Sequence, residues 1–190
     1  MFKKILALAL LVASASFAQI NFGAHVGLTG NTFYGDDAED ASTGAGVELG
    51  LAAKISLPML PITIAPEVLF DLRTVTEEEG SYEISMTEYA VEIPVLIRLS
   101  LAPIVFVEAG PTFAFNMGVS VYDNDDNEID LPDEWFNSLQ VGAAVGVGTN
   151  ILPLLDFDFR VNFDFTNFFG DDAHTDAAWL QVALGATYWF

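Results

Sequence analysis

The chain has 190 residues and a formal charge of −21, from 27 acids against six Lys and Arg, yet 52% of it is hydrophobic and 16 residues are Phe. Such acidity excludes nucleic-acid binding, which needs basic patches, and suits a surface that meets divalent cations. The absence of cysteine excludes disulfides, thiolate chemistry and a lipoprotein anchor.

The chain opens as a secretory leader. Met1-Phe2-Lys3-Lys4 is a basic start, Ile5 to Val12 an apolar run, and Ser16-Phe17-Ala18 supplies small residues for cleavage after Ala18. Removing Lys3 and Lys4 takes the charge from −21 to −23. The apolar run is well short of the roughly 20 residues that span a bilayer, and no other run is long enough. A membrane protein of this sequence must therefore cross as a closed barrel, formed by the single domain 19–190.

Period-two alternation then predicts eight strands: 20–29, 45–57, 62–73, 89–99, 104–117, 139–151, 155–165 and 179–190. In the first, Ile20, Phe22, Ala24, Val26 and Leu28 share a face. In the seventh, Leu155, Phe157, Phe159, Val161, Phe163 and Phe165 alternate with Asp156, Asp158, Arg160, Asn162 and Asp164 without exception. The eighth carries Leu180, Val182, Leu184, Ala186, Tyr188 and Phe190 on one face and runs to the last residue. Each is about the 9–11 residues of a tilted membrane strand.

The links alternate in length. Strands two–three, four–five and six–seven are joined by 58–61, 100–103 and 152–154; the others are joined by long acidic stretches, 31–44, 74–88, 118–138 and 166–178. Short turns at one end and long loops at the other predict an eight-stranded antiparallel up-and-down transmembrane β-barrel. Its turns and both termini are then periplasmic, and its acidic loops extracellular.

A soluble barrel would alternate too, with its apolar face inward. The polar face decides between them, because it is rich in small residues: Gly23, Gly27, Gly46, Gly50, Ala52, Gly142, Ala144, Gly146 and Gly148. Small residues fit a crowded eight-stranded lumen, while large apolar groups face lipid. Pro66, Pro94 and Pro111 each remove a ladder donor within a predicted strand and read as bulges.

Residues 89–98, Tyr-Ala-Val-Glu-Ile-Pro-Val-Leu-Ile-Arg, resemble the "Y-L-E-I-P-L-L-L-K" strand of the PorT-like, porin-family outer-membrane β-barrel proteins. Glu108-Ala109-Gly110-Pro111 is similar to that family's "A-G-P" strand, and Asp158-Phe159-Arg160-Val161 to its "D-x-R-Y" strand, with Val161 departing from Tyr. The resemblance covers the mature chain and implies a small barrel similar in build to OmpA- and OmpX-type domains. It also implies an accessory role in a secretion machine, as PorT-like members suggest.

Lys54, Glu67, Glu92, Arg98, Glu108 and Arg160 fall at inward positions near mid-depth. Ionised groups in a narrow lumen are costly unless paired, so these are expected to form a salt-bridge network that fills the barrel, with a gate as the alternative. Glu48, Asp71, Asp156, Asp158 and Asp164 add further inward acids. In the third loop, Asp123, Asp125 and Asn127 have the spacing that starts a calcium loop, but Glu128 stands where the turn Gly is needed. The expectation is therefore no cofactor, with Ca²⁺ or Mg²⁺ bound only loosely beside lipopolysaccharide. Phe33, Tyr34, Trp135, Phe136, Phe168 and Phe169 read either as a partner-binding surface or as the outer aromatic girdle.

Catalysis has little to work with. His174 has Asp171, Asp172 and Asp176 nearby, and His25 faces inward, but no nucleophile motif accompanies either. The expected protein is a monomeric, non-enzymatic outer-membrane barrel with a filled lumen, meeting a surface or periplasmic protein partner; a narrow channel is the alternative. Tyr188 and Phe190 form the closing signal that the barrel-assembly machinery would read.

Overall fold

The computed structural model describes residues 19–35, 43–57, 60–79, 82–122, 129, 132, 135–152, 154–170 and 177–190. Its strands are β1 (Gln19–Tyr34), β2 (Gly44–Ser56), β3 (Ile62–Glu79), β4 (Tyr82–Glu92), β5 (Val95–Ala102), β6 (Val105–Tyr122), β7 (Leu139–Leu152), β8 (Leu155–Asp164) and β9 (Ala178–Trp189). All pairings are antiparallel, and β1 meets β9 from Gly23↔Trp189 to Tyr34↔Ala178, so the sheet closes on itself. β4 and β5 are two halves of one stave, which makes the ring eight-staved.

The stagger of the ring can be read from its pairs. Gln19 pairs Ser56, and the path then runs through Thr63, Arg98, Glu108, Gly146, Arg160 and Ala183 to Thr29. One circuit thus advances β1 by ten residues, from 19 to 29. Such a stagger on eight staves tilts them by about 40° and leaves an interior just wide enough for side chains.

Burial is inverted relative to a water-soluble protein. On β1, Leu28 is 67% exposed while its neighbour Thr29 is 5% exposed, and the alternation recurs on the other staves. The enclosed groups are mostly polar or charged, and the outward face is apolar, as lipid requires.

Strands extend further at the loop end than the hydrophobic alternation indicated. Within 74–88, expected as a loop, residues 74–79 and 82–88 instead extend β3 and β4, which stay paired to Glu79↔Tyr82. The outward face there changes from Leu72 and Phe70 to Thr74, Thr76, Ser85 and Thr87, whose hydroxyls bond across the strands: Thr74 to Thr87 at 3.1 Å and Thr76 to Ser85 at 2.8 Å. β-branched threonine keeps the strand but erases the polarity contrast that marks one. β1 and β6 continue past the expected 29 and 117 in the same way.

The proline reading is corrected at all three positions, since the register also runs unbroken across Pro94 from Glu92 to Val95. Pro66 pairs Val95 and Pro111 pairs Ala143 without a shift in register. Pro94 ends β4's stave segment, yet its carbonyl still accepts from the Glu67 amide at 2.9 Å, and Ile93 exchanges bonds with Phe113. Register shifts fall instead between Tyr89 and Ala90, Ser100 and Ala102, and Thr149 and Leu152. A missing N–H removes one donor; it does not insert the extra residue that a bulge needs.

The expected leader (1–18), the Asp123, Asp125 and Asn127 group, and His174 with Asp171, Asp172 and Asp176 lie outside the described residues.

Candidate functional site

The lumen holds two arginine-centred clusters. Nearer the termini, Arg160 on β8 grips Glu67 on β3 with two bonds, at 2.7 and 3.0 Å, and its Nε lies 2.8 Å from both Glu108 and Asp158. Arg98 on β5 shares the same two glutamates, 3.3 Å from Glu67 and 2.7 Å from Glu108, and reaches Asp156 at 3.1 Å. Bidentate guanidinium geometry suits this task, since one planar fork can tie carboxylates from several walls.

Nearer the loops, Arg73 on β3 sits among four acids. Its nitrogens lie 2.7 Å from Asp71, 2.5 Å from Glu92, 3.1 Å from Asp164 and 3.8 Å from Glu88. Gln140 on β7 accepts from Arg73 at 3.3 Å and donates to Glu88 at 2.6 Å. Gln181 on β9 donates to Asp71 at 2.9 Å and accepts from Asn162 at 2.6 Å.

Of the six residues expected to pair, Glu67, Arg98, Glu108 and Arg160 share the first cluster, and Glu92 belongs to the second. Lys54 stands apart, half-buried, with its Nζ 4.1 Å above the Trp189 ring. Arg73 carries no such signal in the sequence, because it ends a predicted strand and reads there as a boundary residue. A third array crosses the β1–β9 seam: His25 bonds Thr187 through Nδ1 and Glu48 through Nε2, both at 2.9 Å. Hydroxyl, imidazole and carboxylate are all buried.

Glycines make room for these side chains. A Cβ on Gly27 would lie 2.5 Å from Glu48 Oε1, and one on Gly185 would lie 2.6 Å from His25 Cε1 and 2.8 Å from Asp158. Gly185→Val should therefore push His25 off its partners and lower stability by about 1–3 kcal/mol. Urea unfolding of the folded barrel measures this; an unchanged midpoint would show that the seat is not needed.

Aromatic side chains sit at both ends of the lumen. Trp189 lies inward at the terminus end, below Lys54 and 5.8 Å from the Arg98 guanidinium carbon. At the loop end, Trp179, Phe33, Phe136, Phe168 and Phe169 pack together over Arg73, with ring centroids 4.1 Å apart for Phe33–Trp179 and 5.3 Å for Phe136–Phe168. Val75, Met86 and Val119 support them from the inward face of the extended strands. The Arg73 guanidinium carbon lies 5.9 Å from the Trp179 ring. The loop aromatics were expected on a binding surface or in the outer girdle. Phe33, Phe136, Phe168 and Phe169 instead form this internal cap, because their strand positions and returning loops point them inward. Tyr34 and Trp135 are the more exposed pair of that set.

The cap is tied together by backbone. The Asn137 amide donates to Phe168 O at 2.9 Å, its side chain donates to Asn167 O and Phe169 O, and the Gly170 amide donates to Trp135 O at 2.8 Å. Among the described residues no group of three or more metal-ligating side chains is placed to hold an ion.

Residues 15–170 match the family model described as an outer membrane protein beta-barrel domain. No curated protein matches the chain. Its fold is shared by solved structures, among them the following two. Neisserial surface protein A has a TM-score of 0.59 and 12% identity, the alignment covering 89% of this chain and 97% of that one. Ail, the attachment invasion locus protein of Yersinia pestis, in complex with the heparin analogue sucrose octasulfate, has a TM-score of 0.52 and 12% identity, covering 90% and 99%.

Proposed function

This chain belongs to the outer-membrane β-barrel domain family, and from that premise we propose that it is a sealed, non-enzymatic barrel with a structural and adhesive role. The observation that carries this reading is a lumen filled by cross-linked charges and stoppered by Trp189 at one end and the Trp179 cluster at the other. A water path would need both stoppers and both arginine clusters to yield, which speaks against the channel alternative. The chain's six bases are Lys3, Lys4, Lys54, Arg73, Arg98 and Arg160; the last four face the lumen, and the first two belong to the leader.

The loops therefore present acid without any Lys or Arg. Ail is seen with a sulfated polyanion, but such a ligand would meet only repulsion here. The complementary class is cationic: divalent ions bridging to lipopolysaccharide phosphates, or a basic patch on a surface partner. In this reading the lumen has a mechanical purpose, holding the staves rigid beneath the loops.

Single-channel recording in planar bilayers tests the seal. Wild type and Glu92→Gln should both give near-zero current. Stable conductance steps in the wild-type protein would overturn the sealed reading, and steps that change with Glu92→Gln would replace it with a gate.

A further inference from the structure

The three short turns carry no charge at all. Between Lys54 and Glu67, between Arg98 and Glu108, and between Thr149 and Asp156 there is no acid or base, in a chain of net charge −21. These turns are rich in Leu, Ile and Pro. Among their described residues, Leu60 is 56%, Leu101 62% and Ile151 64% exposed, and Ile104, Leu152 and Leu154 about half.

Hydrogen bonds join the turns into one rim. The Ser100 amide donates to Pro61 O at 2.9 Å, the Asn150 amide to Ile104 O at 3.2 Å, and the Thr149 hydroxyl to the same carbonyl at 2.7 Å. The circuit continues through the Trp189 amide on Leu154 O at 2.8 Å and the Phe190 amide on Phe22 O at 3.0 Å. An apolar surface held in this way loses little conformational entropy on being covered.

Lipid does not reach this rim. The outward face turns polar at Thr74, Thr87 and Ser120, which sets the outer edge of the hydrocarbon. Below that edge, β6 alone is apolar outward from Met117 to Val105, thirteen residues and so twelve rises along the strand. At about 3.3 Å per residue and about 40° of tilt this spans roughly 30 Å, more than the apolar band of about 25 Å that an outer membrane covers. The turns beyond Val105 therefore stand in water. Copies in one membrane point the same way, so rim cannot meet rim.

We infer that this rim is a docking surface for a periplasmic protein that presents an apolar, uncharged face. Complementarity supports that occupant: an interface core is depleted of charge, and an exposed apolar patch of this kind marks an interaction site. The inference rests on the outer-membrane reading for which side the rim faces. It adds a protein contact at the end of the barrel opposite the acidic loops.

The cysteine-free sequence allows a single-site test with Leu101→Cys, accepted as folded when its unboiled form migrates faster than its boiled form. On intact cells an impermeant maleimide should not label it. Labelling there would show that the rim faces outward, and the outer-membrane orientation would fail along with the proposal. In pure phospholipid vesicles a maleimide should label it quickly. In opened native outer membranes labelling should be at least tenfold slower, and Leu60→Ser with Leu154→Ser should restore the fast rate. Trypsin should restore it too, since all four bases of the mature barrel face the lumen and the barrel itself resists cleavage. Slow labelling already in pure vesicles would mean that lipid or the chain itself covers the rim. Equal rates in both membranes would mean that nothing covers it, and slow labelling that survives trypsin would mean a non-protein cover. Each of these three results overturns the docking surface.

Discussion

Arg73→Met is expected to destabilise the barrel by about 3–5 kcal/mol, the range for removing one partner of a buried ion pair. Arg73 is 1% exposed and is the base that Asp71, Glu88, Glu92 and Asp164 share. Methionine fills most of the volume but supplies no donor, so four carboxylates would face one another beneath an apolar cap. Repulsion at that density is far worse than the loss of one surface salt bridge, which contributes roughly 0–1 kcal/mol. The urea midpoint for loss of the fast-migrating unboiled band measures the effect. Adding Glu92→Gln and Asp164→Asn should recover most of it, because amides can satisfy each other where carboxylates cannot. A single variant as stable as wild type would show that the cluster is already neutral without its arginine.

Deleting residues 188–190 should abolish the folded form altogether. Tyr188 pairs Ala24 on one side and Leu155 on the other, Trp189 pairs Gly23, and the last two amides donate to Leu154 O and Phe22 O. Trp189 is also the terminus-end stopper, so the truncation opens the seam and the lumen together. An open seam leaves two unpaired edges, which a membrane does not tolerate. The truncated chain should show no heat-modifiable shift and should be degraded by protease added to the periplasmic fraction. Phe190→Ala separates structure from signal. Its side chain is 69% exposed, so refolding into detergent should proceed normally, while assembly in cells should slow. Equal assembly of Phe190→Ala and wild type in cells would deny Phe190 any part as a signal.

The staves were largely legible because period-two alternation is a local property. Residues 155–165 alternate without exception, and the structure pairs them on both sides as β8. Glycine and alanine on the polar face correctly marked that face as inward, since Gly27 and Gly185 lie under Glu48 and His25. The alternation failed where the outer solvent changes. Beyond Leu72 the outward face meets water, Thr74 and Thr76 replace the apolar residues, and a paired strand reads like a loop.

The candidate site was legible only in part, for a related reason. Inward parity identified Glu67, Arg98, Glu108 and Arg160 as lumen charges, but parity along one strand does not say which charges meet across the barrel. Arg160 reaches Glu67, 93 positions away in sequence, and Gln181 reaches Asp71 across 110. Those meetings depend on the stagger accumulated over eight staves, and an error of two residues in any turn would change every partner. Arg73, at the edge of its apolar run, carried no signal of its central place.

The sequence by itself determined the kind of molecule. Alternation, small residues on the polar face and the aromatic closing strand specify a closed lipid-facing barrel, because each rests on contacts between near neighbours and on the solvent each face meets. Only the tertiary structure decided that Trp189 packs against Lys54, that the loop aromatics gather near Arg73 at the other end, and that the uncharged turns join into one rim. Each of these depends on closure, which brings distant residues to one height in the barrel, and closure is a property of the whole ring.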